Sequence, residues 1–431
     1  MLKTIRNAWK IEELRKKILF TLFIILLYRI GNAVPVPYVN ISQLQEYFNQ
    51  LQNTVLGLYN VMSGGAFSSA TIFALSIQPY INASIIIQLL CIAIPALERM
   101  SKDEGEEGKK KIASITRYST VAIALLQGFA YYMLIKNNSL LSESGVWQGI
   151  VIVMTFTAGS ALIMWLGEQI TEFGIGNGIS IILFASIVSS FPNSVITMFS
   201  NLAAGTLQWY ALVLMLLGAL AIIVLIVIVT NAERRIPIQY SKRVVGRKMY
   251  GGQSTHLPMK VNMSGVMPII FAQAIASLPA TLLMLFGITE DSGGFWGGFL
   301  SVFNSNSLLY AFIYLLLIIF FAYFYSTIQF NPIEIANNLR KNGGFIPGFR
   351  AGKPTSEFIQ KVLNKITLFG AIYLGIIATA PIVISCFSDV ASTSGISLGG
   401  TSIIIVVGVA LETVQALESQ MLMRHYKGFL E

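Results

Sequence analysis

Residues 58–90 read LYNVMSGGAFSSATIFALSIQPYINASIIIQLL, and the fold turns on how this stretch is understood. It begins as a short apolar piece containing Gly64, Gly65 and several serines, then becomes a long apolar helix that carries Ser76, Gln78, Asn82, Ser84 and Gln88, with Pro79 inside it. A helix built only to lie in lipid has no reason to carry these side chains, because each polar group at membrane depth must find a partner or water. This helix faces something other than lipid.

Composition sets the class around it. Of 431 residues, 55% are hydrophobic and 11% charged, and the mean hydropathy is +0.69. That is more apolar surface than a soluble fold of this length can bury. A bilayer core takes about 20 apolar residues per helix, and runs of that length recur over 18–36, 71–92, 113–135, 147–167, 179–199, 208–230, 262–287, 307–328, 365–385 and 401–421. The chain reads as an all-α, polytopic membrane protein.

The basic residues give it an orientation. All but Arg29 and Lys136 of the 29 Lys and Arg residues fall in the N-terminal segment, the tail, or alternate connections after the second, sixth and eighth spans. By the positive-inside rule both termini and these connections are cytoplasmic, so the net charge of +9 belongs to one face. Tyr28, Arg29 and Asn32 interrupt the first apolar run and no small-residue cleavage site follows, which argues against a removed signal peptide. Cys91 and Cys386 are expected near opposite membrane faces, too far apart to bridge, and no metal framework is implied.

Several local features follow in order. Arg29 is expected to snorkel to the interface, and 38–56 form an external excursion. The piece Leu58–Phe67 is too short to cross and reads as a half-helix dipping in. Over 71–91, Ile77, Ile81, Ile85 and Gln88 share a helical face, with Pro79 allowing a bend; periodicity alone makes the isoleucines ordinary packing residues. Gln127 lies in the third span. The GIGNG run at 174–178 is either a half-helix break or a tight turn. Two long basic connections, 231–261 and 329–364, follow. RIPIQY and KRVVGRKMY in the first read as two short strands or a hairpin-like arm, and GG, PG and KP mark turns around Arg350 in the second. Two basic arms on one side suit an acidic partner or ribosomal RNA.

Five spans precede about residue 205 and five follow, and a repeat with an odd number of crossings enters the membrane in the opposite sense the second time. The halves 1–205 and 206–431 then form an inverted pair in which the second and seventh spans are equivalent. The seventh also carries Asn262, Pro268 and Gln273. A secondary transporter shares such symmetry but needs an ionisable site near the midplane, and Glu412 and Glu418 fall toward the cytoplasmic end of the last span. A scaffolding membrane protein is a third reading. No Walker motif, catalytic triad or metal cluster is present, so an enzyme is not expected.

The stretches FSSATIFALSIQPYINASIIIQLL, WLGEQITEFGIGNGISII, QSTHLPMKVNMSGVMPIIFA, FNPIEIANNLRKNGGFIPGFRAG and GGTSIIIVVGVALETVQ resemble, in order and spacing, those of the SecY family, the channel subunits of bacterial protein translocases. The resemblance covers almost the whole chain. It implies ten helices in two clamshell halves around an hourglass pore, which opens across the membrane for unfolded secreted chains and sideways, between the second and seventh helices, for hydrophobic segments. By the same resemblance Ile77, Ile81, Ile179, Leu183, Ile270 and Ile405 form a ring at the waist, Leu183 standing where many relatives have isoleucine. Residues 58–67, including Asn60, Met62, Ser63, Gly64, Gly65 and Phe67, form a plug. Gln88, Gln127 and Asn262 lie along the lateral gate, while Arg243, Arg247, Lys248 and Arg350 dock the SecA motor ATPase and the ribosome. SecE and SecG small subunits, signal peptides, unfolded preproteins and the lipid bilayer are the other partners implied, with no cofactor and a location in the bacterial cytoplasmic membrane. Phe173 stands where the family pattern has arginine, which puts any contact made by that charge in doubt.

Overall fold

The computed structural model describes residues 2–50, 55–102, 105–143, 145–205, 208–240, 243–245, 248–250, 254–285, 307–387 and 400–427. A helix falls on every one of the expected spans: Glu12–Gly31, Gln78–Ala93, Gly105–Asn137, Val146–Phe173, Gly178–Ala203, Trp209–Asn231, Met267–Leu285, Leu308–Gln329, Lys353–Phe387 and Gly400–Lys427. They are called the first to tenth spans below. Seven helical segments among the described residues are long and apolar enough to cross a membrane, and the second and seventh spans are shorter apolar helices. The first begins EELRKK and gains its apolar run only afterwards.

The second span starts later than its apolar run. Residues 63–77 form successive turns, with Ala70 and Ser76 at positive φ (42° and 50°), and the helix begins at Gln78. Pro79 is therefore in the first turn, where its missing N–H costs nothing, and it starts the helix instead of bending it. Ile77 becomes the N-cap residue, but its carbonyl still accepts from the Ile81 N–H at 3.1 Å. The two isoleucines thus remain one turn apart, as the helical face required. The plug helix is likewise displaced: Val55–Met62 is helical and 63–67 are turns.

The GIGNG run is a tight turn. Asn177 caps the fifth span by accepting from the backbone N–H groups of Ile179 and Ser180, and Gly176 takes a φ of 69°. A Cβ on Gly178 would lie 1.9 Å from the Gly167 carbonyl, so only glycine allows the fourth and fifth spans to approach this closely. Phe173, before the turn, makes an edge contact with Phe20 of the first span.

The basic segments meet at one end of the bundle. The N-terminal helix Leu2–Lys10 reaches the tenth span through Thr4 and Glu418, and Lys17 of the first span donates to Gln420. Lys260, at the end of the first arm, donates to Gln415 at 2.6 Å. Ile175 of the glycine turn packs with Ala8, Leu14 and Leu417. At the far end the excursion, the plug turns and the third and fourth spans share a second cluster that includes Leu44, Phe48, Phe67, Tyr131 and Phe156.

The first arm contains both a strand over RIPIQY and a hairpin over KRVVGRKMY, and the strand pairs beyond the hairpin. Strand β1, Glu233–Tyr240, pairs antiparallel with β4, Ser254–Lys260, while β2, Arg243–Val245, and β3, Lys248–Tyr250, form a separate hairpin between them. The second arm adds β5, Gly344–Phe345, to the free edge of β1, giving the order β4-β1-β5. The alternation in RIPIQY buries Ile236 and Ile238 on one face. They pack with Met259, Leu339, Ile346, Ile359 and Leu363, so the two arms and the start of the ninth span are one unit with its own core. Ile359 is fully buried there. Ile359→Ala is expected to destabilise this unit by about 2–5 kcal/mol, read as faster amide exchange in Ser254–Lys260 with exchange in Val146–Phe173 unchanged. Equal protection of the arms in variant and wild type would contradict a shared core.

Candidate pore and lateral seam

The largest buried apolar cluster draws residues from the first, second and fourth to tenth spans. Ile77, Ile81, Leu183, Ile270 and Ile405 all belong to it, at 0 to 3% exposure, and the partly buried Ile179 packs against it. Two spans of each sequence half supply these six residues. Gly167 of the fourth span lies beside two of them: a Cβ there would make ordinary contact, at 3.6 Å, with both the Ile77 Cδ1 and the Ile179 Cγ1. All six expected ring residues are thus brought to one cluster. They are branched and apolar, offering neither water nor an ion a hydrogen bond.

The plug helix enters this cluster from the far end through Met62, which is 2% exposed. Its sulfur accepts from the Gln273 Nε2 at 2.9 Å and the Gln78 Nε2 at 3.3 Å. The Tyr59 hydroxyl lies 3.2 Å from the Ser277 hydroxyl of the seventh span. Ser63 holds the following turns, donating to the Asn60 carbonyl and accepting from the Phe67 N–H, both at 3.0 Å, while the Asn60 Oδ1 accepts from the Ser68 N–H at 2.9 Å. Phe67 stacks on Tyr131 with ring centroids 4.3 Å apart, and the Tyr131 hydroxyl donates to the Phe67 carbonyl. Gly64, at φ 68°, lies so close to Ser186 and Ser189 that a Cβ would overlap them, whereas Gly65 borders open space. That space is a polar cavity of about 500 Å³ lined by Arg29, Asn32, Asn60, Gly65, Asn193 and Ser194, among others. Arg29 therefore faces a cavity beside the plug.

The seam between the halves runs where the seventh span packs on the second and third. These three spans carry polar side chains that are buried or partly buried and have atoms unpaired among the described residues. Neither amide atom of Gln127 or of Asn82 has a hydrogen-bond partner among the described residues, and the Oε1 atoms of Gln78, Gln88 and Gln273 also lack one. The Gln88 Nε2 donates to Ser84 at 3.3 Å. Asn262 is buried in the turn leading into the seventh span, where the backbone of 261–262 packs on Gly370 of the ninth.

Of the expected docking residues, Arg350 is exposed, and its carbonyl accepts from the Thr355 hydroxyl at 2.8 Å, anchoring the turn. Arg243 and Lys248 lie on the β2–β3 hairpin, and Arg247 lies outside the described residues. Sequence reasoning missed the contact of Met62 with two glutamines. The signal available was a glutamine near the ring isoleucine in each of two spans placed as equivalents.

This arrangement can close a path with apolar side chains, cover it from the far end with a helix tied by weak polar contacts, and separate along a polar seam. The SecY family profile matches residues 71–414. The "Protein translocase subunit SecY" of Streptomyces scabiei is 44% identical over 446 residues, and that of Mycobacterium bovis is 41% identical over 449, with 100% of both chains covered in each case. Among solved structures, "The structure of a protein conducting channel" is similar with a TM-score of 0.67 at 16% identity, covering 94% of this chain and 92% of that one. "Sec61 in the Canine ribosome-channel complex from the endoplasmic reticulum" gives 0.63 at 15% with the same coverage. Those two likenesses show a shared fold; the full-length identities and the profile match go further, and the chain belongs to the SecY family.

Proposed function

We propose that this chain is the channel-forming subunit of a bacterial protein translocase, passing unfolded secretory proteins across the cytoplasmic membrane and releasing hydrophobic segments sideways into lipid. The observation that carries the reading is that ring residues from both halves share one buried cluster, which Met62 of the plug helix also enters from the far end. The basic end faces the cytoplasm, as the positive-inside rule requires.

The physics of each part supports it. A narrow ring of branched apolar side chains dewets, so it stops ions without gripping a chain that passes. The halves 1–205 and 206–431 act as the two shells, and their seam, bearing Gln88, Gln127 and Asn262, is the lateral gate. A hydrophobic segment at an open gate gains roughly 0.3–0.6 kcal/mol per central Leu, Ile, Phe or Val on entering lipid, and a central charge costs about 2.5–3.5. The bilayer then sorts the segments itself. The plug, including Asn60, Met62, Ser63, Gly64, Gly65 and Phe67, leaves toward the far end, where the polar cavity gives it room.

A channel supplies no driving force of its own. The joined arms, with Arg243, Arg247, Lys248 and Arg350, present a basic docking surface to a SecA-type motor ATPase and to the ribosome, and SecE- and SecG-type small subunits complete the complex. The similar Sec61 structure is of a ribosome–channel complex, which is in keeping with ribosome docking on this face.

Reconstitution of the chain with its small subunits and motor in vesicles tests the function. A secretory preprotein is expected to become protease-protected when ATP is added; uptake of small solutes along a gradient with no protected preprotein would contradict it. Ile81→Asn or Ile270→Asn is expected to raise resting single-channel ion conductance, because an amide in the ring holds water, and an unchanged leak would remove these residues from the seal. Arg350→Glu is expected to abolish motor-driven transport with the fold and thermal stability retained, Arg350 being exposed; normal transport by that variant would reject its docking role.

A further inference from the structure

The glutamines that hold Met62 occupy a definite layer. Gln78 is three residues from Ile81 on the second span, and Gln273 is three residues from Ile270 on the seventh. The two helices run in opposite senses between the basic end and the far end, so both glutamines lie about one turn, roughly 4.5 Å, to the plug side of the ring isoleucines. Each is 3% exposed, and each points an Nε2 donor at the same sulfur. One belongs to each half of the chain.

We infer that Met62 is the residue that positions the plug, acting as a latch whose single acceptor is shared by a carboxamide from each side of the seam. A thioether is a weak acceptor, and neither bond alone is strong. Together they seat the plug only while the two halves are close. Separation of the second span from the seventh removes at least one donor, so the plug is released by the same movement that opens the gate. The geometry also explains why the acceptor is a methionine. A carbonyl or carboxylate in that place would bind the amides strongly and burden opening, whereas leucine would pack equally well and hold neither glutamine. The Oε1 atoms of Gln78 and Gln273, which have no partner among the described residues, add a bias toward release, because water or the backbone of a passing chain satisfies them once the plug has left.

The inference rests on the channel reading, and the test separates the two. Wild type, Met62→Leu, Gln273→Leu and the double variant are reconstituted with the small subunits, and the motor and ATP are added for the transport assay. Preprotein protection is measured for the wild type, and resting open probability in planar bilayers for all four. Met62→Leu keeps volume and apolarity, so a purely packing role for Met62 leaves open probability at the wild-type level. The latch predicts a rise of roughly five- to thirtyfold, a comparable rise for Gln273→Leu, and a double variant well short of the product of the two, since each change removes the same contact. Wild-type open probability in Met62→Leu, or effects that multiply fully in the double variant, would overturn the latch while leaving the channel reading intact. Wild type that protects no preprotein would sink the reading beneath it.

Discussion

A wall that must open cannot be held shut by strong directional bonds that have to be broken at each opening. The contact between the second and seventh spans meets this constraint by dividing its labour by depth. On the proposed reading Ile81 and Ile270, both in the buried apolar cluster, close the ring without a hydrogen bond that must break when the surfaces part. One turn farther out, polar groups meet a sulfur instead of a strong acceptor. Along the rest of the seam Gln127 and Asn82 are buried without partners among the described residues. Each such group lowers the stability of the packing around it.

The rest of the fold serves that seam. Close approach of the fourth and fifth spans at Gly167 and Gly178 gives the first half a rigid wall. In the second half, Ser326 and Thr367 hydrogen-bond at 3.0 Å between the eighth and ninth spans, within a buried interface. The seventh span connects everything: β4 of the arm unit leads into it within a few residues, Ile270 is in the cluster, and Gln273 and Ser277 touch the plug. One helix therefore links the arms to Ile270 and to the contacts with Tyr59 and Met62. The arms form one unit because β1 pairs with strands from both of them over a shared core.

Much of this was legible in the residues, for identifiable reasons. Hydrophobic run length is a strong local signal, and a helix lies on each expected span. The sequence motifs located the family and, through it, residues that periodicity alone assigned to ordinary packing. Boundaries were less legible, since a run of apolar residues does not say whether Pro79 bends a helix or begins one. Pairings distant in sequence were illegible. RIPIQY finds its partner across an intervening hairpin, not in the strand that follows it, and Gln273 meets Met62 from 211 residues away. Nothing local to either residue marks such a contact. Arg29 was read as an interfacial arginine because its position near a span end is the usual reason for one; the cavity it lines is made by the plug and the fifth span, which only the fold brings beside it.

The central claim is that ring residues from both halves surround the passing chain at a single depth. It is tested most directly by placing a photo-crosslinker in turn at Ile81, Leu183, Ile270 and Ile405 and stalling a preprotein midway through the reconstituted channel. All four positions are expected to capture the same short segment of the stalled chain, while a crosslinker at the exposed Leu217 of the sixth span captures none of it. Adducts to lipid alone, or to widely separated segments of the preprotein from the different positions, would contradict a common constriction.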